Sequence, residues 1–252
     1  MRLDSFLYEN NIYPSRTKAM DAIKGGLVLH NGKPCKCSLE VTSFDGLKIL
    51  NLDKTFVSNG GYKLEKALID FNFSVKDLVC ADIGASNGGF TDCLLQNGAS
   101  KVYAIDVGES QLDTSLICSK VVVLDNTNAR FLTSETLGEK VDLVVCDVSF
   151  ISLKLILASV KNILKDGGKA LMLIKPQFEC GKKYLGNSGI VKSREARLNA
   201  CIDIYNFMLN LGLTPLNITT APIKEKKNIE YVICLENSVN TPFPIDLINN
   251  LE

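Results

Sequence analysis

Two charged residues stand at the ends of apolar, strand-like runs. Asp147 follows Val141-Asp142-Leu143-Val144-Val145-Cys146, and Lys175 follows Ala170-Leu171-Met172-Leu173-Ile174. A charge in such a place is functional or paired, because burying it alone is costly. An acid and an ammonium there can orient one another or stabilise an oxyanion as it forms. A third feature lies earlier. The run Val79-Cys80-Ala81-Asp82-Ile83 ends at a glycine-rich turn, Gly84-Ala85-Ser86-Asn87-Gly88-Gly89, and the next apolar run ends at Asp106. Such a turn lets backbone approach a nucleotide-like ligand, and an acid ending the second strand can accept hydrogen bonds from ribose hydroxyls. A dinucleotide fingerprint requires G-x-G-x-x-G. Here Ser86 stands at the second glycine, and Asp82 would sit near the pyrophosphate. A carboxylate before a G-x-x-x-G turn suits a cationic sulfonium and its ammonium group better. Asp82, Gly84, Ser86, Gly88 and Asp106 are therefore expected to hold S-adenosylmethionine rather than NAD, a purely structural glycine turn being the remaining reading. Asp125 and Asn128 are adenine-side candidates, and either could simply end a strand or cap a turn.

The elements that must position these residues alternate. Strand-like runs at residues 79–83, 101–106, 121–124, 141–146 and 170–174 are separated by helical patterns, including an amphipathic stretch over residues 151–164 ended by Gly167-Gly168. This order predicts an α/β fold: a Rossmann-like, mostly parallel sheet covered on both faces. A helix over residues 194–211 leads to runs at 216–220 and 230–235, expected to close the sheet as an antiparallel pair. The glycine- and lysine-bearing stretch 176–193 reads as a mobile, RNA-facing loop or simply a long connection.

Composition narrows the chemistry. The 252 residues include one histidine, His30, which excludes a mechanism built on several histidines. The nine cysteines are scattered, odd in number and without a C-x-x-C, so reduced thiols in a cytoplasm are expected rather than a disulfide framework or a metal site. The polar N-terminus is unlike a signal peptide. The apolar stretch from residue 141 to 160 is broken by Asp142, Asp147 and Lys154, too often for a membrane span. Lys plus Arg and Asp plus Glu both number 28. This zero sum argues against a phosphate-rich partner only until the chain is divided: 8 basic and 6 acidic residues precede position 60, and 20 and 22 follow.

The first segment has its own pattern. Residues 2–9 and 16–24 read as two short helices, the second with Ser15 as N-cap and Gly25-Gly26 as its stop. Asn31-Gly32 then predicts a hairpin between residues 27–30 and 33–35. Arg16, Lys18 and Lys24 are left to face water or a ligand.

The ordered string Arg2-Leu3-Asp4, Ser15-Arg16-Thr17-Lys18-Ala19 and Gly26-Leu27-Val28-Leu29-His30-Asn31-Gly32-Lys33 resembles the small α+β RNA-binding domain named for ribosomal protein S-four. The later string Asp82-Ile83-Gly84-Ala85-Ser86-Asn87-Gly88-Gly89-Phe90-Thr91-Asp92-Cys93-Leu94-Leu95-Gln96 is similar to that of the TlyA family, the hemolysin-annotated, FtsJ-like rRNA ribose 2′-O-methyltransferases. The likeness continues through Thr127-Asn128-Ala129-Arg130, Asp147-Val148-Ser149-Phe150-Ile151-Ser152 and Lys175-Pro176-Gln177-Phe178-Glu179. Asn59 and Asn87 depart from it, standing where the family has Arg and Thr. The resemblance implies an RNA-binding domain over residues 1–58, with Arg2, Arg16, Lys18, Lys24 and Lys33 facing RNA phosphates, and a methyltransferase domain over 59–252. It also implies a K-D-K-E catalytic set, which falls here on Lys63, Asp147, Lys175 and Glu230. Without it, Lys63 and Glu230 would read as ordinary surface residues. The implied reaction is metal-free methylation of a cytidine ribose in rRNA, large-subunit rRNA first, by a cytoplasmic protein that is a monomer when free and binds rRNA or a ribosomal subunit. A membrane-active hemolysin, a non-enzymatic ribosome-binding protein and an NAD oxidoreductase are the alternatives.

Overall fold

Apolar runs of four to six residues without polar alternation must be covered on both faces, and the chain arranges itself to do this. The computed structural model describes residues 1–50, 55–109, 111–186, 188–222 and 227–251. In chain order they form α1 (Leu3–Glu9), α2 (Arg16–Lys24), β1 (Val28–His30), β2 (Lys33–Pro34), β3 (Leu47–Ile49), α3 (Asn59–Asp70), β4 (Val79–Ile83), α4 (Gly89–Gln96), β5 (Lys101–Ile105), β6 (Val121–Leu124), α5 (Ser134–Leu137), β7 (Val141–Cys146), α6 (Leu157–Ile163), β8 (Leu164–Ile174), α7 (Pro176–Glu179), α8 (Arg194–Asn210), β9 (Thr214–Thr220), β10 (Tyr231–Glu236) and α9 (Asp246–Asn249).

Seven strands make the main sheet, in the order β6-β5-β4-β7-β8-β10-β9. The first five are parallel, and β10 runs antiparallel to both β8 and β9. Strand order reverses between β4 and β7, which opens a crevice at their carboxyl ends. Alternation along the strands sorts the core. Ala81, Ile83, Val144 and Cys146 face α6 and α8, where Leu157, Val160, Ile204 and Met208 cover them. Cys80, Leu143 and Val145 face the other way, toward Leu64 and Leu68 of α3 and Cys93 and Leu94 of α4.

That second core runs on into the first segment, where Leu3, Leu7, Ala19, Ile23 and Leu27 belong to the same apolar cluster. β1 pairs with β2 across the Asn31-Gly32 turn and with β3 on its other edge. The sequence reading has no β3 and no α3. It also carries the helix of residues 151–164 across what is a short 3-10 turn (Leu153–Leu155) followed by α6, and Gly167-Gly168 lie inside the irregular start of β8 rather than after a helix. The stretch 176–193 is partly ordered: it contains α7, a 3-10 turn at Lys182–Tyr184 and a bridge between Leu185 and Val191.

Candidate active site

Register brings the charged residues together. Cys146 lies opposite Ile83, and Ile174 lies opposite Tyr231, so Asp147 and Lys175 emerge at one edge beside Glu230. Lys63 arrives from α3, whose N-cap Ser58 accepts a hydrogen bond from Gly60 N. The first turns of α3 and α4 pack backbone to backbone. A Cβ on Gly89 would stand 2.2 Å from Ser58 Oγ and 2.9 Å from Gly61 N, so no larger residue fits that contact.

The four side chains alternate in charge. Lys175 Nζ lies 2.6 Å from Asp147 Oδ1, Lys63 Nζ is 3.5 Å from Asp147 Oδ2, and Lys63 Nζ donates to Glu230 Oε2 at 2.8 Å. Burial alone would push the Asp147 carboxyl up. The ammonium groups of Lys63 and Lys175 outweigh it and hold the carboxyl below the ordinary range. Burial would likewise lower Lys63, but Asp147 and Glu230 raise it. Lys175 is 7 % exposed, and its Nζ also donates to Ser149 Oγ at 2.8 Å. With Asp147 and Ser149 holding two sides of this ammonium, its remaining face borders a cavity of about 220 Å³ shared with Ser58, Gly60, Ser86 and Asn87.

A second crevice of about 440 Å³ adjoins the first, and Gly84, Ser86, Asp147 and Ser149 line both. Asp106 lies in its wall and is fixed by backbone: Oδ2 accepts from Ser86 N and Oδ1 from Gly108 N, each at 2.8 Å. Gly84 adopts φ +82°, and a Cβ there would meet the Asp147 carbonyl oxygen at 3.0 Å, so the turn is shaped for glycine. Asn128 also lines the crevice while capping the turn Ala129–Phe131 by accepting from Arg130 N. Both of its expected roles are thus geometrically compatible.

Asp82 and Gly88 support the turn from outside the crevice wall. Gly88, at φ +90°, caps α4. Asp82 is wholly buried; its Oδ2 accepts from Thr91 Oγ1 at 2.7 Å, and Oδ1 has no hydrogen-bond partner. Burial pushes its carboxyl up to about 7, and the Thr91 bond opposes this only in part. A cation bound above would stabilise the charged form. Asp125 follows β6 and lies outside the crevice wall. The volume, the pinned Asp106, the glycine turn and the buried acid fit S-adenosylmethionine, and Asp82, outside the wall, could reach a bound cation only through its field.

Three residues absent from the sequence reading as site residues complete the edge. Ser149 holds Lys175. Phe150, at φ +64°, is 90 % exposed beside the crevice and packs on Phe178 with ring centres 5.2 Å apart. Glu179 accepts from Ser152 Oγ and Leu153 N. An exposed phenylalanine in the left-handed region has no sequence signature, because the reason for it lies in the fold.

In the first segment three of the cations expected to face RNA, Arg2, Arg16 and Lys18, are also tied to the protein itself. Arg2 Nε and Arg16 Nε each donate to the buried Asp4 carboxylate at 3.0 Å, and Lys18 Nζ donates to the Phe56 carbonyl at 2.8 Å. The Arg2 and Arg16 side chains remain about half exposed, at 44 % and 51 %. Lys24 and Lys33 are exposed. Among the described residues no helix is long and apolar enough to cross a membrane, and no group of three or more His, Cys, Asp or Glu side chains could hold a metal.

Comparison with known proteins matches two families, each to a different part of the chain. The FtsJ-like methyltransferase family matches residues 56–237, and the S4 domain family matches residues 1–46. The chain is 36% identical over 243 residues to the 16S/23S rRNA (cytidine-2′-O)-methyltransferase TlyA of Mycobacterium tuberculosis, covering 95% of this chain and 91% of that protein. It is 39% identical over 236 residues to hemolysin A of Brachyspira hyodysenteriae, covering 92% and 98% of the two. A solved structure from Streptococcus thermophilus named as a hemolysin superposes with a TM-score of 0.74 at 36% identity, covering 99% of this chain and 93% of that one. The chain belongs to the FtsJ-like methyltransferase family and carries an S4 domain at its N-terminus.

Proposed function

We propose that the protein transfers a methyl group from S-adenosylmethionine to the 2′-hydroxyl of a cytidine ribose in rRNA, large-subunit rRNA being the first target. The observation that carries this reading is the alternating chain Lys175–Asp147–Lys63–Glu230, set where the crevice and the smaller cavity meet. Relatives with cytidine-2′-O activity in their names are 36–37% identical to the chain. The bound cofactor supplies a methyl on a sulfonium, which needs a nucleophile in line and nothing covalent from the protein. Gly84, Ser86, Asp106 and Asn128 would hold it, with Asp82 beneath.

Every remaining task falls on the nucleophile. A ribose hydroxyl is a weak acid, so charge developing on its oxygen must be stabilised. Lys175, fixed on two sides by Asp147 and Ser149, offers its open face to that oxygen as a preorganised charge. Pairing with Asp147 suits an oriented cation, with the hydroxyl proton passing late to solvent water. Lys63 and Glu230 keep Asp147 in place and border a further cleft of about 370 Å³ with Gln177 and Lys227. Holding the ribose at the cavity supplies much of the remaining rate. The exposed Phe150 ring offers the base a stacking surface, worth about 1–3 kcal/mol.

Access for RNA is continuous. Lys227, beside the cleft of Lys63 and Glu230, also lines a groove of about 540 Å³ with Arg2, Lys24 and Asn59. That groove links the S4 domain to the catalytic edge. The test is positional: methyl-labelled cofactor is incubated with unmodified large and small ribosomal subunits, and the label is mapped. The reading predicts 2′-O-methylcytidine at a discrete site, and label on a base would overturn it.

A further inference from the structure

We propose that Glu179 is a positioning residue that locks the Ser149–Phe150 segment onto Lys175, making the orientation of the lysine depend on a carboxylate outside the K-D-K-E chain. The proposal rests on the role given to Lys175 above.

Two loops carry the chemistry, one after β7 and one after β8. The second folds at once into α7, with Lys175 as its N-cap and Glu179 as its last residue. The Glu179 carboxylate then crosses to the first loop, accepting from Ser152 Oγ at 2.6 Å and Leu153 N at 2.8 Å. Ser152 in turn caps the turn Leu153–Leu155 by accepting from Lys154 N. At the other end of the loop, Ser149 Oγ accepts from Lys175 Nζ. The result is a closed circuit: Lys175 to Ser149, along the chain to Ser152, across to Glu179, and back through α7 to Lys175.

The circuit holds a loop that would otherwise relax. Phe150 sits at φ +64°, in the left-handed region, a conformation that is costly for a bulky residue. Its ring is 90 % exposed, so burial does little to offset that cost. Packing against Phe178 of α7 supports it on one side only. The two charge-assisted bonds from Glu179 add to the packing of Val148 and Ile151 on the core, and they reach the segment just beyond the strained residue. Without them Phe150 can leave the left-handed region, and Ser149 then swings away from Lys175. The ammonium keeps Asp147 but is without the second bond that fixes its direction.

The experiment measures single-turnover methyl transfer at saturating cofactor and ribosomal subunit, which separates the chemical step from binding. Glu179→Ala and Ser149→Ala should each slow transfer by about 10- to 100-fold, the scale of a small misplacement at a reacting centre. Because both act through one circuit, the double variant should be no slower than the slower single variant. Glu179→Gln should restore most of the rate, since its amide can accept from Leu153 N and donate to Ser152 Oγ. If the alanine variant does not fold, Glu179→Asp keeps the charge but falls short of the loop, and it should show the same loss. A Glu179→Ala or Glu179→Asp rate within about threefold of wild type, or losses that multiply in the double variant, would overturn the proposal. Wild-type protein that methylates no ribose would instead overturn the proposed function, whatever the variants do.

Discussion

Cations gather in two regions of this molecule and are held in opposite ways. In the S4 domain two arginines, Arg2 and Arg16, share one buried carboxylate, Asp4, and keep about half of their own surface in solvent. Positive charge is left in excess and faces outward. At the sheet edge two lysines alternate with two acids, and the Lys175 and Lys63 side chains are only 9 % and 15 % exposed. Charge there is balanced, enclosed and directed. An outward excess suits phosphates that are already charged, whereas an oriented and balanced set suits charge that appears only during a reaction. The same residue types would thus serve binding in one region and chemistry in the other, and the two sets differ in the ratio of acids to bases and in the depth of burial.

The comparison can be broken at each end. The largest effect on the binding side is expected from Asp4→Ala. Burial would raise the Asp4 carboxyl, but its bonds to Arg2 and Arg16 hold it below the ordinary range. Losing them should lower stability in urea by about 1–3 kcal/mol, moderated because both arginines can return to water. Methyl transfer at saturating RNA should be unchanged; a large loss of rate would mean that the two regions are not separable.

A smaller, pH-dependent effect is expected beneath the glycine turn. The Asp82 carboxyl, raised by burial to about 7, binds a proton more tightly in the folded protein than in the unfolded chain. Its contribution to the stability of the unliganded protein is therefore present at acid pH and lost as pH rises toward about 7. A cationic ligand favours the ionised form, so cofactor affinity should rise with pH up to about 7, by at most about tenfold per unit, and then level off. Calorimetric titration from acid to neutral pH would show this slope, and Asp82→Asn should flatten it.

The smallest effect concerns the exposed lysines. Lys24→Ala with Lys33→Ala should weaken RNA binding modestly and reduce the slope of log affinity against log salt by about 0.7–0.9 for each phosphate no longer neutralised. An unchanged slope would remove both residues from the RNA face.

Much of this architecture was legible in the chain. Apolar runs without alternation mark the parallel strands, and Asn31-Gly32 marks the hairpin. The signals that failed were those where distant residues decide. α3 begins Asn59-Gly60-Gly61, and those glycines admit Phe56 and α4 at a close range that no local pattern announces. Arg16 looks free until Asp4, twelve positions earlier, is seen to hold it. Asp147 and Lys175 stand out because each ends an apolar strand, whereas Lys63 and Glu230 become visible only by resemblance. Ser149, Phe150 and Glu179 lie inside strings quoted for that resemblance, yet their geometry depends on how two loops meet. The zero net charge is uninformative for a related reason: it averages an outward excess with a balanced interior.

The central claim is that Lys175 serves the chemical step and not the cofactor. The direct measurement compares Lys175→Ala with wild type in two assays on the same preparation: S-adenosylmethionine binding by calorimetry, and methyl transfer to ribosomal subunits. Cofactor affinity is expected close to wild type, and transfer reduced by about 10²-fold or more. Transfer at the wild-type rate, or loss of cofactor binding in step with loss of transfer, would contradict it.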